Sequence, residues 1–337
     1  MYFKNLTLGE VMNILITGGT GFIGFALAKY HAGRGDNVII FDNLYKSQKV
    51  VDSELHELIE LPNVTLHEVN LTEKVQVEIG FELDYVYHFA AINGTKLFYE
   101  IAYEVCLTNL LITINTLKYL ESVNFKKLVF SSTSEVYAGA LDLDLMDIPT
   151  AENVPVVFPQ PTNTRFSYAS SKFVSEYLCM QFGEQFNKNV SVIRYHNIYG
   201  PRMGFNHAVP EIILRMLRGE NPFQVYGADE TRSFCYIDDA VDATFKVAES
   251  ELTNQEILHI GDQNGEVNIL KITEIIRNIL DVDTILVPEK GLSGSVKRRC
   301  PNTGKLERLT GFKIKTDISK GLEEAAKWYK KYHEKNK

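Results

Sequence analysis

The sequence predicts an α/β fold in which a doubly wound parallel sheet is followed by a smaller, less regular C-terminal lobe. Two observations predict it. Short apolar, β-rich runs alternate with helix-like segments as far as about Asn197, and beyond that point proline and glycine break the pattern. The first run, Asn13–Thr17 (NILIT), is largely apolar, as suits a parallel strand covered on both faces. Asn37–Phe41, Val64–Val69, Tyr85–Phe89, Lys127–Ser131 and Val190–Arg194 repeat it. Between them Phe22–Arg34, Ala102–Val123 and Phe166–Phe186 read as helices, so the chain is expected to wind through right-handed β-α-β crossovers. Glu256–Ile260 (EILHI) is a further strand expected to return to the main sheet. The expected division is an extension over residues 1–11, a sheet domain over 12–199 rejoined by 236–262, and a lobe formed by 200–235 and 263–337.

Composition narrows the function classes. The 337 residues are 45% hydrophobic and 23% charged, an ordinary globular balance. With 35 Lys plus Arg against 43 Asp plus Glu, the formal charge of −8 argues against nucleic acid or an anionic membrane as main partner. A small anion held by a few arginines stays compatible with it. No apolar run approaches the ~20 residues that span a bilayer, and the N-terminus lacks the order of a signal peptide. Cys106, Cys179, Cys235 and Cys300 form no C-x-x-C pair, which reads as reduced thiols in a cytoplasmic protein. The eight histidines show no metal-ligand spacing, and no metal is expected.

After the first strand comes Gly18-Gly19-Thr20-Gly21-Phe22-Ile23-Gly24. Glycine at Gly18, Gly21 and Gly24 allows a tight turn, close backbone approach to a pyrophosphate, and close helix-on-strand packing. Phe22 and Ile23 open the helix, where free N–H groups and the positive dipole end favour phosphate. A carboxylate at the end of the second strand, Asp42 with Asn43 beside it, suits ribose hydroxyls and repels a 2′-phosphate. The expected cofactor is therefore NAD.

The strongest sign of chemistry is Tyr168-Ala169-Ser170-Ser171-Lys172. Helical positions four apart share a face, so the phenol and ammonium are expected to project together. A phenol ionises near pH ~10, so base action near neutrality needs ~4 kcal/mol of phenolate stabilisation, which nearby positive charge supplies. Alone, such a pair is an ordinary solvent-facing motif. Here the fifth strand ends in Ser131-Ser132-Thr133-Ser134-Glu135-Val136-Tyr137, which puts hydroxyls and a carboxylate at the sheet edge where open α/β sheets bind ligands.

The glycine turn, YHFAA (Tyr87–Ala91), SSTSEVY, Y-x-x-x-K and RYHNIYGPRM (Arg194–Met203) occur in the order seen in extended short-chain dehydrogenases/reductases. Over about residues 12–330 the chain resembles their NAD-dependent nucleotide-sugar epimerase/dehydratase family, with a Rossmann-type sheet. The resemblance implies that Thr133 hydrogen-bonds the substrate's C4 oxygen, Tyr168 is the base and Lys172 contacts the nicotinamide ribose. It also implies that Ala90 and Ala91 line the cofactor, and that Asn197, Arg232 and Arg299 contact substrate, the arginines at its diphosphate. Asn109 matches a helix asparagine of structural or active-site importance. His196 and His259 depart from the family pattern and read as packing histidines.

In this family oxidation at C4 makes a ketone from which the reactions branch. Elimination across C5–C6 needs a base at C5, whereas epimerisation needs only rotation of the sugar. Glu135, two residues past Thr133 along an expected extended segment, is the candidate C5 base. Thr-Ser-Glu resembles GDP-mannose 4,6-dehydratases and UDP-glucuronate decarboxylases. Ser134, grouped with the substrate contacts, replaces the Asp usual in dTDP-glucose 4,6-dehydratases. The reading leans to a 4,6-dehydratase or decarboxylase, with 4-epimerase as alternative and a non-catalytic NAD-binding scaffold as the reading from another class. A decarboxylase needs a cation for the substrate carboxylate, for which Arg165 is a candidate. Ala102–Val123 and Phe166–Phe186 carry apolar residues on more than one face, and the resemblance implies a homodimer formed by pairing those helices.

Overall fold

The computed structural model describes residues 10–45, 53–291 and 296–335, so most of the expected N-terminal extension lies outside the described residues. The described chain begins with β1 (Asn13–Thr17), α1 (Phe22–Arg34), β2 (Asn37–Asp42), α2 (Ser53–Ile59), β3 (Val64–Glu68) and β4 (Leu83–His88). It continues through α3 (Thr95–Glu100), α4 (Ala102–Leu120), β5 (Phe125–Thr133), α5 (Ala138–Asp142), α6 (Phe166–Phe186) and β6 (Asn189–Tyr195). Next come β7 (Ile198–Tyr199), α7 (Ala208–Leu217), β8 (Phe223–Tyr226), β9 (Thr231–Ser233), β10 (Cys235–Tyr236), α8 (Ile237–Glu249) and β11 (Glu256–Ile260). The chain ends with β12 (Glu266–Asn268), α9 (Ile269–Leu280), β13 (Leu286–Glu289), β14 (Arg298–Arg299), α10 (Gly304–Thr310) and α11 (Ile318–Lys335).

Seven strands form one sheet in the order β11-β6-β5-β4-β1-β2-β3, and every pairing is parallel. Period-two alternation explains why its runs are apolar throughout. Ile14 and Ile16 of β1 join the core on one face while Leu15 joins the other. In β2, Val38 and Ile40 go one way, and Ile39 and Phe41 the other. Helices α1 and α8 cover the first face, whose core holds Leu27, Ala28, Ala243 and Val247. On the second face, α4 and α6 supply Ile112, Leu117, Cys179 and Phe182. Burying each large aliphatic or aromatic side chain is worth roughly 1.5–3 kcal/mol. β5 outruns the expected Lys127–Ser131 at both ends, and α4 stops at Leu120 rather than Val123.

Chain order reverses between β1 and β4, so the carboxyl ends of β1, β4 and β5 open onto the crevice where such sheets bind ligands. Among the described residues the later segments form small sheets of their own: β14 and β12 flank β9, β13 pairs with β8, and β10 pairs with β7.

Candidate active site

The turn between β1 and α1 leaves no room for a side chain at Gly18 or Gly24. Gly18 has φ +72°, and a Cβ there would stand 2.6 Å from the Ala90 nitrogen. A Cβ on Gly24 would collide with the Gly18 carbonyl. Gly21 is the N-cap of α1 and brings no side-chain cap, so the first-turn N–H groups, those of Phe22 and Ile23 among them, are left to a ligand. The Asp42 carboxylate accepts from Thr20 N at 3.0 Å and Leu44 N at 2.9 Å, which ties the turn to the end of β2. Asn43 is exposed, and its amide oxygen holds Tyr45 N at 3.1 Å. Thr17 Oγ1 takes the N–H groups of Phe89 at 3.2 Å and Ala90 at 3.3 Å, which brings the Ala90-Ala91 backbone against the turn. A glycine cradle, an uncapped helix start and a carboxylate at the second strand's end fit a dinucleotide.

Thr133 is the last residue of β5 and caps a 3-10 turn over Ser134–Tyr137, its Oγ1 accepting from Glu135 N at 3.2 Å. The expected extended Thr133–Glu135 segment is thus replaced by a tight turn, because the hydroxyl competes for the backbone as it does at helix caps. The turn buries Ser134, which is 4% exposed, and leaves Glu135 at the surface of the crevice.

Tyr168 and Lys172 lie on the buried face of α6. They share a face as expected, but no hydrogen bond joins phenol to ammonium among the described residues. The Tyr168 ring instead stacks on Phe98, with centroids 4.7 Å apart and planes 6° off parallel. Lys172 Nζ sits 4.1 Å from the centre of the Phe130 ring. Burial, then the Glu135 charge, pushes the Tyr168 pKa up rather than down. Burial also draws the Lys172 ammonium down to about 8 against the opposing charges of Cys179 and Glu176. A neutral phenol is the expected resting state when nothing cationic touches its oxygen.

Beneath this pair runs a buried polar network that the sequence reading missed. Glu176 accepts Arg194 Nε at 2.8 Å and Nη2 at 2.6 Å, and also takes the Ser132 hydroxyl. Arg194 donates to the Tyr137 hydroxyl, which meets His259 Nε2 at 2.7 Å; His259 Nδ1 lies 3.2 Å from the Asn302 carbonyl. The network ties the end of β5 and the face of α6 to the loop after Arg299. One signal was available: Glu176 follows Tyr168 and Lys172 at the same helical spacing. Asn109 clamps the loop after β4, holding Ile92 N at 2.8 Å and Ile92 O at 3.2 Å, and reaches Ser171 on α6 at 3.3 Å.

The two arginines expected to meet substrate converge. Arg299 and Arg232 are register partners on the neighbouring parallel strands β14 and β9, so their side chains leave the same face side by side. Burial, then the Arg299 charge, lowers the Arg232 pKa. Arg232 donates to Glu230 at 2.9 Å and to the Thr231 carbonyl, while Arg299 Nη1 donates to Glu135 at 2.6 Å. Burial pushes the Glu135 carboxyl up, but Arg299, aided by Arg165 and Arg232, outweighs it and holds the pKa below the usual range. Arg165, the expected cation for a substrate carboxylate, is itself paired with Asp142 at 2.8 Å; Arg299 makes the direct contact to Glu135. Asn197 adopts φ +44° and donates its amide to the Ser233 carbonyl at 3.2 Å, beside Arg232.

Residues 14–261 match the sequence model of the NAD dependent epimerase/dehydratase family. The chain belongs to that family. This family member is an NAD-dependent enzyme, and its glycine cradle is of a shape that fits such a cofactor. It is 33% identical over 327 residues to the UDP-N-acetyl-alpha-D-glucosaminuronate decarboxylase of Bacillus cytotoxicus, covering 94% of this chain and 97% of the other. With UDP-glucuronic acid decarboxylase 6 of Arabidopsis thaliana it shares 28% over 324 residues, 92% of this chain and 87% of that one. Among solved structures, a UDP-galactose 4-epimerase superposes with a TM-score of 0.78 at 27% identity, over 95% and 99% of the two chains. The UDP-glucuronic acid 4-epimerase of Bacillus cereus, with NAD and UDP-glucuronic acid, shares the fold at TM-score 0.81 and 23% identity, over 95% and 100%.

Proposed function

We propose that this enzyme decarboxylates a nucleotide-diphosphate uronic acid, with a UDP-linked sugar as substrate. The observation that carries the reading is the Arg299–Glu135 pair set beside Arg232. Two guanidinium groups emerge together from paired strands, a repulsive arrangement that a bound anion relieves. Arg299 uses one of its five N–H donors on Glu135 and keeps the rest for substrate oxygens. The decarboxylase relatives give the same reaction class.

Bound NAD supplies the acceptor, and later the donor, of the hydrogen on C4. On this reading Tyr168, neutral at rest, is favoured as phenolate by the positive charge of oxidised nicotinamide. It then takes the C4 hydroxyl proton, while the Thr133 hydroxyl donates to the C4 oxygen. The resulting ketone makes the C6 carboxylate a β-keto acid group. The C5–C6 bond breaks, CO2 leaves, and its electron pair becomes the C4–C5 enolate. Arg299 holds the carboxylate until it departs. Glu135 relays a proton from solvent to C5, in place of the departed carboxylate, and Tyr168 returns its proton to the C4 oxygen. Asn197, Arg232 and Ser134 belong to the substrate pocket, and Lys172 to the cofactor ribose.

Incubation with UDP-N-acetylglucosaminuronate and UDP-glucuronate, followed by mass spectrometry, tests the assignment. A product lighter by one CO2 is expected, and Tyr168→Phe should lower turnover at least about a hundredfold. An isomer of unchanged mass would replace it with 4-epimerisation.

A homodimer is part of the same reading. Tyr103 and Leu107 on α4, and Val174 and Tyr177 on α6, are 72%, 41%, 45% and 64% exposed, an apolar stripe across two packed helices. Light scattering should show a dimer at micromolar concentration; a monomer refutes it. The four free cysteines suit a reducing cytoplasm.

A further inference from the structure

We propose that Phe98 is a positioning residue for Tyr168, its ring setting the plane in which the phenol meets the sugar hydroxyl. The proposal rests on Tyr168 being the base. No polar group of the described residues hydrogen-bonds the Tyr168 hydroxyl, so packing alone directs the ring. That packing is a small apolar cluster of Phe98, Val105 and Tyr168 with Ile92, Leu97 and Ile101 against it, separate from the two large cores of the sheet. Phe98 is the aromatic member besides Tyr168, and it lies face to face with the phenol, 4.7 Å between centroids and 6° from parallel. Both residues are 7% exposed.

An offset parallel pair packed within an apolar cluster resists tilting of either ring, because tilting loses contact area. The terminal torsion of a tyrosine is otherwise broad and turns the plane of its O–H, and the space left by a missing neighbour lets χ1 carry the hydroxyl itself off line. Phe98 is itself fixed. It sits on α3, a short helix entered through Gly94 at φ +153° and left through Ile101 at φ −135°, and its carbonyl accepts the Ser167 hydroxyl at 3.3 Å. The residue that precedes Tyr168 thus anchors the residue that stacks on it. Phe98 acts through Tyr168, so its loss should slow proton transfer at C4 and leave the arginine end of the site alone.

Phe98→Leu keeps apolar volume and removes the aromatic face; Phe98→Tyr restores that face. With UDP-N-acetylglucosaminuronate, F98L should lower kcat by about a hundredfold, the order that a displacement of about 1 Å produces, with KM changed less than about twofold. The kinetic isotope effect from deuterium at C4 should rise, and F98Y should recover most of kcat. NAD content and Tm serve as folding controls, and F98M decides by the same criteria where F98L does not fold. A kcat for F98L within about twofold of the parent overturns the proposal, as does an F98Y no better than F98L. Tyr168→Phe separates the two ideas: if it turns over normally the base assignment has failed, whereas an inactive Y168F with an unimpaired F98L sinks only the role of Phe98.

Discussion

Arg299→Lys tests the substrate-side geometry most directly. The exchange keeps the positive charge and removes the planar fork that serves a carboxylate and a second anion together. Arg299 donates to Glu135 at 2.6 Å, and the two side chains are 13% and 30% exposed, so solvent screens the contact only partly. A hydrogen bond to a charged group in such a setting is worth about 1.5–3 kcal/mol, and losing one to the substrate lowers kcat/KM roughly 10- to 150-fold. The assay is CO2 release from UDP-N-acetylglucosaminuronate, with NAD content as a folding control. Arg298→Lys is the comparison, since Arg298 is 50% exposed at its side chain and pairs with Glu266 away from Glu135. It should leave kcat/KM unchanged. An R299K enzyme with the parent's kcat/KM, or an R298K enzyme equally damaged, would refute the reasoning. Arg299→Ala also exposes the linkage. The folded-state pKa of Glu135 is depressed, so the stability it contributes is present above the unfolded value and lost as pH falls through the folded one. The Tm gap between parent and R299A should therefore be full at pH 7 and shrink in acid below about pH 4.

Glu135→Gln should spare the first oxidation, seen as absorbance at 340 nm, yet slow deuterium entry at C5 in heavy water; unchanged entry removes Glu135 from that role. Gly18→Ala places a Cβ 2.6 Å from the Ala90 nitrogen at φ +72°, and the left-handed backbone alone costs about 1–2 kcal/mol. The purified variant should retain less NAD, by quantification of released dinucleotide, and full retention counts against the cradle. Burial, then the Arg194 charge, lowers the His259 pKa to about 3, so the folded protein keeps this imidazole neutral. Its contribution to stability is present above the unfolded value near pH ~6.5 and falls away toward the folded one. Tm should drop between those limits, less steeply in His259→Gln; identical slopes would exclude His259 as a cause.

The parallel sheet, the phosphate turn and the residues at the carboxyl edge were legible in the chain alone. Each is a local signal: alternation along a strand, a glycine spacing between strand and helix, or side chains one helical turn apart. Asp42, Gly18 and Gly24 need only their neighbours and the adjacent strand to take up their places. The orientation of Tyr168 was not legible, because its ring answers to Phe98, which arrives on a different helix. The two arginines were expected together through the family resemblance, but the contact of Arg299 with Glu135 was not legible. Glu135 and Arg299 are separated by 164 positions, and Arg299 reaches Arg232 through the pairing of β14 with β9. Spacing governs contacts within one element, whereas contacts between distant segments depend on strand register and on which turn a hydroxyl such as that of Thr133 chooses to cap. Those are settled only when the whole chain has packed.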